Sequence, residues 1–146
     1  MPVLYFAYGS NMASDVMLER CPGATPHGSA CLGNHRLAFR LPSQRWGGHA
    51  ADIADEAGSF TWGVLWAVTP EHLTALDQYE ARYDRCWVQP LNERSVEAVT
   101  YRVKPDSIGP DGSPHPTYLD HLIQGATEHG LPKGYVAELR SYLAES

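Results

Sequence analysis

The sequence predicts an α+β fold built on a small, mostly antiparallel sheet that is strongly bent or closed. Three observations predict it. About six strand-like and four helical runs follow one another without regular alternation, which disfavours a doubly wound parallel sheet. Two strand-like runs, Arg85 to Leu91 and Ser95 to Val103, are separated only by Asn92-Glu93-Arg94, a hairpin spacing that makes neighbours antiparallel. The strongest strand, Thr61 to Val68, is aromatic and β-branched yet carries Gly63 inside it, where a bulge or bend can form.

The elements follow in chain order. Val3 to Tyr8 is a short apolar, aromatic run, read as a buried strand, and it breaks into Gly9-Ser10-Asn11. Gly9 can take backbone angles closed to other residues, and Ser10 and Asn11 favour turns and caps. A helix follows, with Ser14 as its cap and Pro22-Gly23 as its end. His35 to Arg40 alternates polar and apolar residues, as a half-buried strand does. Pro42 to Gly48 is a loop, where Trp46 beside two glycines reads as a packed turn or as a close approach to a strand or ligand. Ala50 to Ala54 is a weaker strand, and Asp55 to Gly58 turns the chain toward Thr61. Thr69-Pro70 starts a helix that runs to about Tyr79. Pro105 to Pro116 is a loop, and Pro116 begins a helix with an apolar stripe at Leu119, Leu122, Ile123 and Ala126. Gly130-Leu131-Pro132 reads as a helix stop with glycine in the left-handed region. A last helix presents Tyr135, Val136, Leu139, Tyr142 and Leu143 on one face.

Composition narrows the function classes. A chain of 146 residues, 43% hydrophobic and 19% charged, suits one soluble domain spanning 1–146. The net charge of -6 argues against a nucleic-acid surface. The apolar run at the N-terminus is too short for a signal peptide or a membrane span. Three cysteines, Cys21, Cys31 and Cys86, form no C-x-x-C pair and fit a reducing, cytoplasmic setting. The 7 histidines make no metal-binding cluster, so no metal is expected.

Two stretches carry chemistry. The strand, glycine turn and helix start at residues 3–14 bring backbone N–H groups together, an arrangement that attracts a carboxylate, a phosphate or an oxyanion. The same stretch also reads as a plain tight turn. The second is Leu76-Asp77-Gln78-Tyr79-Glu80. If the helix reaches Glu80, that residue shares a stripe with Leu73 and Leu76, where the pattern asks for a leucine. A carboxyl held there would have a raised pKa and be poised for proton transfer. If the helix ends earlier, Glu80 reaches solvent. Asp77 reads as a capping residue or a partner of Arg82 or Arg85. Ser10 sits where a nucleophile elbow would place it, but G-x-S-x-G is absent.

Tyr5-Phe6-Ala7-Tyr8-Gly9-Ser10-Asn11 resembles the glycine loop of the gamma-glutamylcyclotransferase family. Trp46-Gly47-Gly48, Trp62 to Trp66, Leu76 to Glu80, Pro116 to Leu119 and Glu128 to Pro132 follow in that family's order. The resemblance implies a small, mostly antiparallel β-barrel of about six strands flanked by helices. It implies release of 5-oxoproline from a small-molecule gamma-glutamyl substrate, without metal or organic cofactor, and leaves a homodimer open. On the family pattern Glu80 is the catalytic acid/base. Tyr5, Phe6, Ala7, Tyr8, Gly9 and Ser10 form the substrate loop with Asn11 beside it, and Tyr118 is a binding tyrosine. Ala81 departs from the glycine that many members carry after the glutamate. The alternatives are a cyclotransferase that releases an amine, a non-catalytic binder of small carboxylates, and a Ser10 hydrolase.

Overall fold

The computed structural model describes residues 3–91 and 96–145. The expected hairpin loop Asn92-Glu93-Arg94 and the strand start at Ser95 lie outside the described residues. The strands are β1 (Val3–Ala7), β2 (Thr25–Pro42), β3 (His49–Val68), β4 (Tyr83–Val88) and β5 (Ala98–Val103). The helices are α1 (Ser14–Arg20), α2 (Pro70–Tyr79), α3 (Pro116–Glu128) and α4 (Lys133–Ser141), and a 3-10 turn, Ser10–Met12, joins β1 to α1. No helix among the described residues is long and apolar enough to cross a membrane.

The α+β class is as expected, with two differences in the sheet. Among the described residues it has five strands in the order β2-β3-β1-β5-β4, and β2 and β4 remain edges, so the barrel is not closed. The strand count falls because the runs at 50–54 and 61–68 are one strand. No turn separates them at Asp55 to Gly58. Gly33 pairs with Phe60 and His35 with Asp55, so residues 56–59 bulge opposite Asn34 alone. Asn34 (φ 59°) and Gly58 (φ 85°) both take the left-handed region there, and Gly58 N–H donates to Asn34 Oδ1 at 3.1 Å. Both partners bend together, so the ladder survives the bend. The pairing is antiparallel except for β1 beside β5, which is parallel.

The bend folds the first half of β3 back toward β5, and side chains bridge the seam. The buried Asp52 carboxylate accepts from Val103 N–H at 3.0 Å and from Arg40 Nε at 2.7 Å. Arg102 reaches Ile53 O at 3.0 Å, and the Tyr83 hydroxyl donates to Ala51 O at 2.7 Å. The core fills the space between sheet and helices, with Trp66, Phe6, Met12, Leu76 and Leu122 fully buried. Each such side chain contributes about 1.5–3 kcal/mol relative to exposure.

Local signals account for the ends of the helices. Thr69 caps α2, with its hydroxyl accepting from His72 N–H and His72 Nδ1 accepting from Thr69 N–H. Gly130 (φ 70°) ends α3, and Leu131 N–H closes back on Ala126 O at 2.9 Å. The cap of α1 is Ala13 rather than Ser14: Ala13 O accepts the first helical bond, from Met17 N–H at 2.9 Å, and the Ser14 hydroxyl contacts His129 Nε2 at 3.2 Å.

Gly63 serves a contact rather than a bend. A Cβ there would lie 2.4 Å from Ala7 O and 2.8 Å from the Phe6 ring. Gly63→Ala should therefore destabilise the fold by the upper end of about 1–3 kcal/mol, since the obstacle is backbone. Urea denaturation measures this, and a loss below about 0.5 kcal/mol would contradict the packing.

Candidate active site

The cavity of about 510 Å³ at the end of β1 is where the expected residues meet. Tyr5, Tyr8, Gly9, Ser10, Asn11, Glu80 and Tyr118 all line it. Phe6 and Ala7, expected with them, do not. Both are buried in the core, where the Phe6 carbonyl accepts from Thr100 Oγ1 at 2.7 Å. Alternation along β1 sends Phe6 to the face opposite Tyr5.

Glu80 ends α2. Its N–H donates to Leu76 O at 2.8 Å, so it occupies the last rung of the helix, and Leu73 and Leu76 beside it are buried. Its side chain is 17% exposed. Burial pushes the Glu80 carboxyl above the ordinary carboxylate range, with Arg20, Arg45 and the Asn11 amide pulling the other way. Asp77 adds no charge pressure from this face. Arg85 clamps it in two bonds, at 2.8 and 2.5 Å, and the Tyr101 hydroxyl donates to it at 2.7 Å. The Arg85 guanidinium holds the Asp77 carboxyl below its usual range.

Across the cavity stands the 3-10 turn. Met12 N–H and Ala13 N–H close on Gly9 O and Ser10 O, and the turn has no side-chain cap. The leading N–H groups of such a turn are left for water or a ligand. Trp66 Nε1 donates to Asn11 O at 3.0 Å, and α3 presses in from outside. A Cβ on Gly125 would lie 2.4 Å from the Met12 carbonyl carbon, so only glycine lets α3 approach this closely.

Gly9 does not need a glycine-only φ, because its φ is -111°. It needs room, since a Cβ would stand 3.1 Å from the Tyr118 hydroxyl. That hydroxyl accepts from Ala51 N–H at 2.9 Å, which ties the first turn of α3 to β3. The Tyr8 hydroxyl donates to Tyr101 O. Desolvation holds Tyr5, Tyr8, Tyr83 and Tyr118 protonated, well above the usual tyrosine value.

Several lining residues escaped the sequence reading, Arg20, Arg45, Tyr83 and Tyr101, whereas Trp46 reads there as a packed turn or a close approach to a strand or ligand. Trp46 lies over Tyr118 and His121, with centroids 5.3 and 5.2 Å apart. Gly47 (φ 76°) and Gly48 (φ 60°) turn the loop against residues 113–115. One compositional signal was available, because six of the eight tyrosines line the cavity. Among the described residues no histidine lines it, and His129 contacts Ser14 at 3.2 Å rather than Ser10.

Comparison with known proteins gives a consistent result. The model of the AIG2-like family matches residues 61–139, more than half of the chain. The gamma-glutamylcyclotransferase of Bos taurus is 31% identical, over 94% of this chain and 77% of that protein. The gamma-glutamylcyclotransferase of Mus musculus is 30% identical over the same shares. A solved structure titled gamma-glutamyl cyclotransferase superposes with a TM-score of 0.86 at 29% identity, covering 96% of this chain and 87% of that one.

The contact between Gly9 and Tyr118 can be tested. Gly9→Val should push the hydroxyl off Ala51 N–H and lower stability by about 1–3 kcal/mol in urea denaturation. A variant as stable as the parent would mean that the wall of the cavity yields freely.

Proposed function

The chain belongs to the AIG2-like, gamma-glutamylcyclotransferase family, and from that premise we propose that it converts gamma-glutamyl amino acids or peptides to 5-oxoproline and a free amino acid or peptide. The observation that carries the reading is a largely enclosed carboxyl, Glu80, facing a backbone turn across a cavity of small-molecule size.

The α-amine of the substrate attacks its own γ-carbonyl carbon. Ring closure is intramolecular, so holding the glutamyl chain folded is much of the task. The amine arrives as an ammonium, with a reference pKa of about 8. Glu80 takes its proton, the new C–N bond closes the five-membered ring, and the tetrahedral intermediate carries its charge on oxygen. Glu80 then returns the proton to the leaving nitrogen, the oxyanion re-forms the carbonyl as the original amide bond breaks, and the ring nitrogen passes its remaining extra proton through Glu80 to the departing amine, which leaves as an ammonium. A raised pKa suits both steps, because it narrows the gap to the amine. The Gly9 and Ser10 N–H groups hold the oxyanion, the substrate carboxylate or both. Tyr5, Asn11 and Tyr118 shape the glutamyl pocket.

Two observations weigh against the alternatives. A serine hydrolase usually pairs its nucleophile with a histidine, and no histidine lines the cavity beside Ser10 among the described residues. Arg45 and Arg82 stand in the cavity wall, their guanidinium groups bonded to Tyr79 O and Pro42 O. They favour a leaving group that carries a carboxylate over a simple amine.

Glu80→Gln should keep its fold by circular dichroism and lose at least about 100-fold in kcat. Mass spectrometry of the products from gamma-glutamyl amino-acid and amine conjugates provides the assay. Ligand binding without 5-oxoproline from any conjugate would leave only a carboxylate-binding role. Glutamate as the product would indicate hydrolysis.

A further inference from the structure

We propose that Arg20 is the positioning residue of the Glu80 carboxylate: with Asn11 it grips one carboxylate oxygen, sets an enclosed positive charge beside it, and leaves the other oxygen to the substrate. The proposal rests on the reading of Glu80 as the proton acceptor.

The Arg20 side chain is only 8% exposed, and arginine is rarely buried unless paired. Its partners account for the burial. Nη1 donates to Asn11 Oδ1 at 3.0 Å and stands 3.8 Å from Glu80 Oε1. The guanidinium lies over the Tyr79 ring, 4.5 Å from its centroid. With its oxygen held by Arg20, the Asn11 amide has one orientation left. Its Nδ2 points the other way and donates to the Tyr5 hydroxyl at 2.9 Å and to Glu80 Oε1 at 3.4 Å. One guanidinium thus sets the amide and supplies the charge, and both contacts fall on Oε1.

The groups facing Glu80 from neighbouring elements are Arg20 of α1, Arg45 of the loop between β2 and β3, Tyr5 and Tyr8 at β1, Tyr83 of β4 and Tyr118 of α3. The tyrosines stay neutral, so the two arginines carry the charge. Arg45 is exposed and its charge is screened, whereas Arg20 is enclosed. Arg20 is also the strongest influence that lowers the Glu80 pKa. Without it, the carboxyl keeps its proton to higher pH. The base works only when ionised, so the acid limb of activity moves up.

The test compares wild type, Arg20→Gln and Arg20→Lys by two readouts. One is the pH profile of kcat/KM. The other is NMR titration of the isotope-labelled Glu80 carboxyl without substrate. Arg20→Gln should raise both midpoints by about one unit or more, a tenfold change in the protonation equilibrium. Arg20→Lys should recover at least half of that shift. Midpoints within about 0.3 unit of wild type in Arg20→Gln, or no recovery in Arg20→Lys, would overturn the proposal. Should Arg20→Gln fail to fold, Arg20→Lys decides alone. An ammonium lacks the planar fork, so a fall in kcat of about tenfold with little change in KM supports positioning. An unchanged kcat, or a loss confined to KM, overturns it. A fully active Glu80→Gln would remove the acid/base reading, while the substrate-free titration still reports on Arg20.

Discussion

The cost of taking the Glu80 carboxylate out of water organises the surrounding structure. An ionised carboxyl in a cavity needs donors, and among the described residues two are recorded within 4 Å, the Asn11 amide and the Arg20 guanidinium. Asn11 is in place because the chain leaves β1 and turns at once into a 3-10 turn. That turn is held from the sheet side by the Trp66 indole and from the helix side by the bare backbone of Gly125. Arg20 is in place because α1 is only seven residues long and ends over Tyr79. Each link is a packing or capping requirement, and together they deliver two polar groups to one oxygen.

The open seam of the sheet has a similar logic. A ladder closed between β3 and β5 would satisfy every backbone group but fill the space with paired backbone. Here Asp52 spans the seam, while the Tyr83 hydroxyl and Ala51 N–H bond across it to tie in β4 and α3. The buried charge of Asp52 is tolerated because Arg40 and Val103 N–H both meet it. The sheet therefore curls far enough to bring its ends together and stops short of closing, and the cavity beside Ala50 and Ala51 opens at that point.

Much of this was legible in the chain. The α+β class, the helix start at Thr69-Pro70 and the left-handed stop at Gly130 follow from local rules of capping and period, and of the roles open to Asp77 the structure takes the pairing with Arg85. The stripe that set Glu80 beside Leu73 and Leu76 is a helical period of the same kind. The misses share a cause. Residues 55–58 have turn composition, yet a partner strand that bends in step keeps them in the ladder. Gly63 and Gly9 looked like conformational glycines, but both answer to atoms distant in sequence, the Ala7 carbonyl and the Tyr118 hydroxyl. Phe6 and Ala7 were grouped with the glycine loop by resemblance, although both are buried in the core, Phe6 on the face opposite Tyr5.

Sequence alone determined where the helices start and stop, most of the extended runs, and that one glutamate sits on an apolar stripe, because these depend on neighbours within a turn or two. Only the tertiary structure decided that Arg20, Asn11 and Glu80 converge, that Trp46 covers Tyr118, and that the sheet stays open. Those outcomes join positions 9 to 72 residues apart in the chain, and no local period or cap records which distant side chain will supply the missing hydrogen bond.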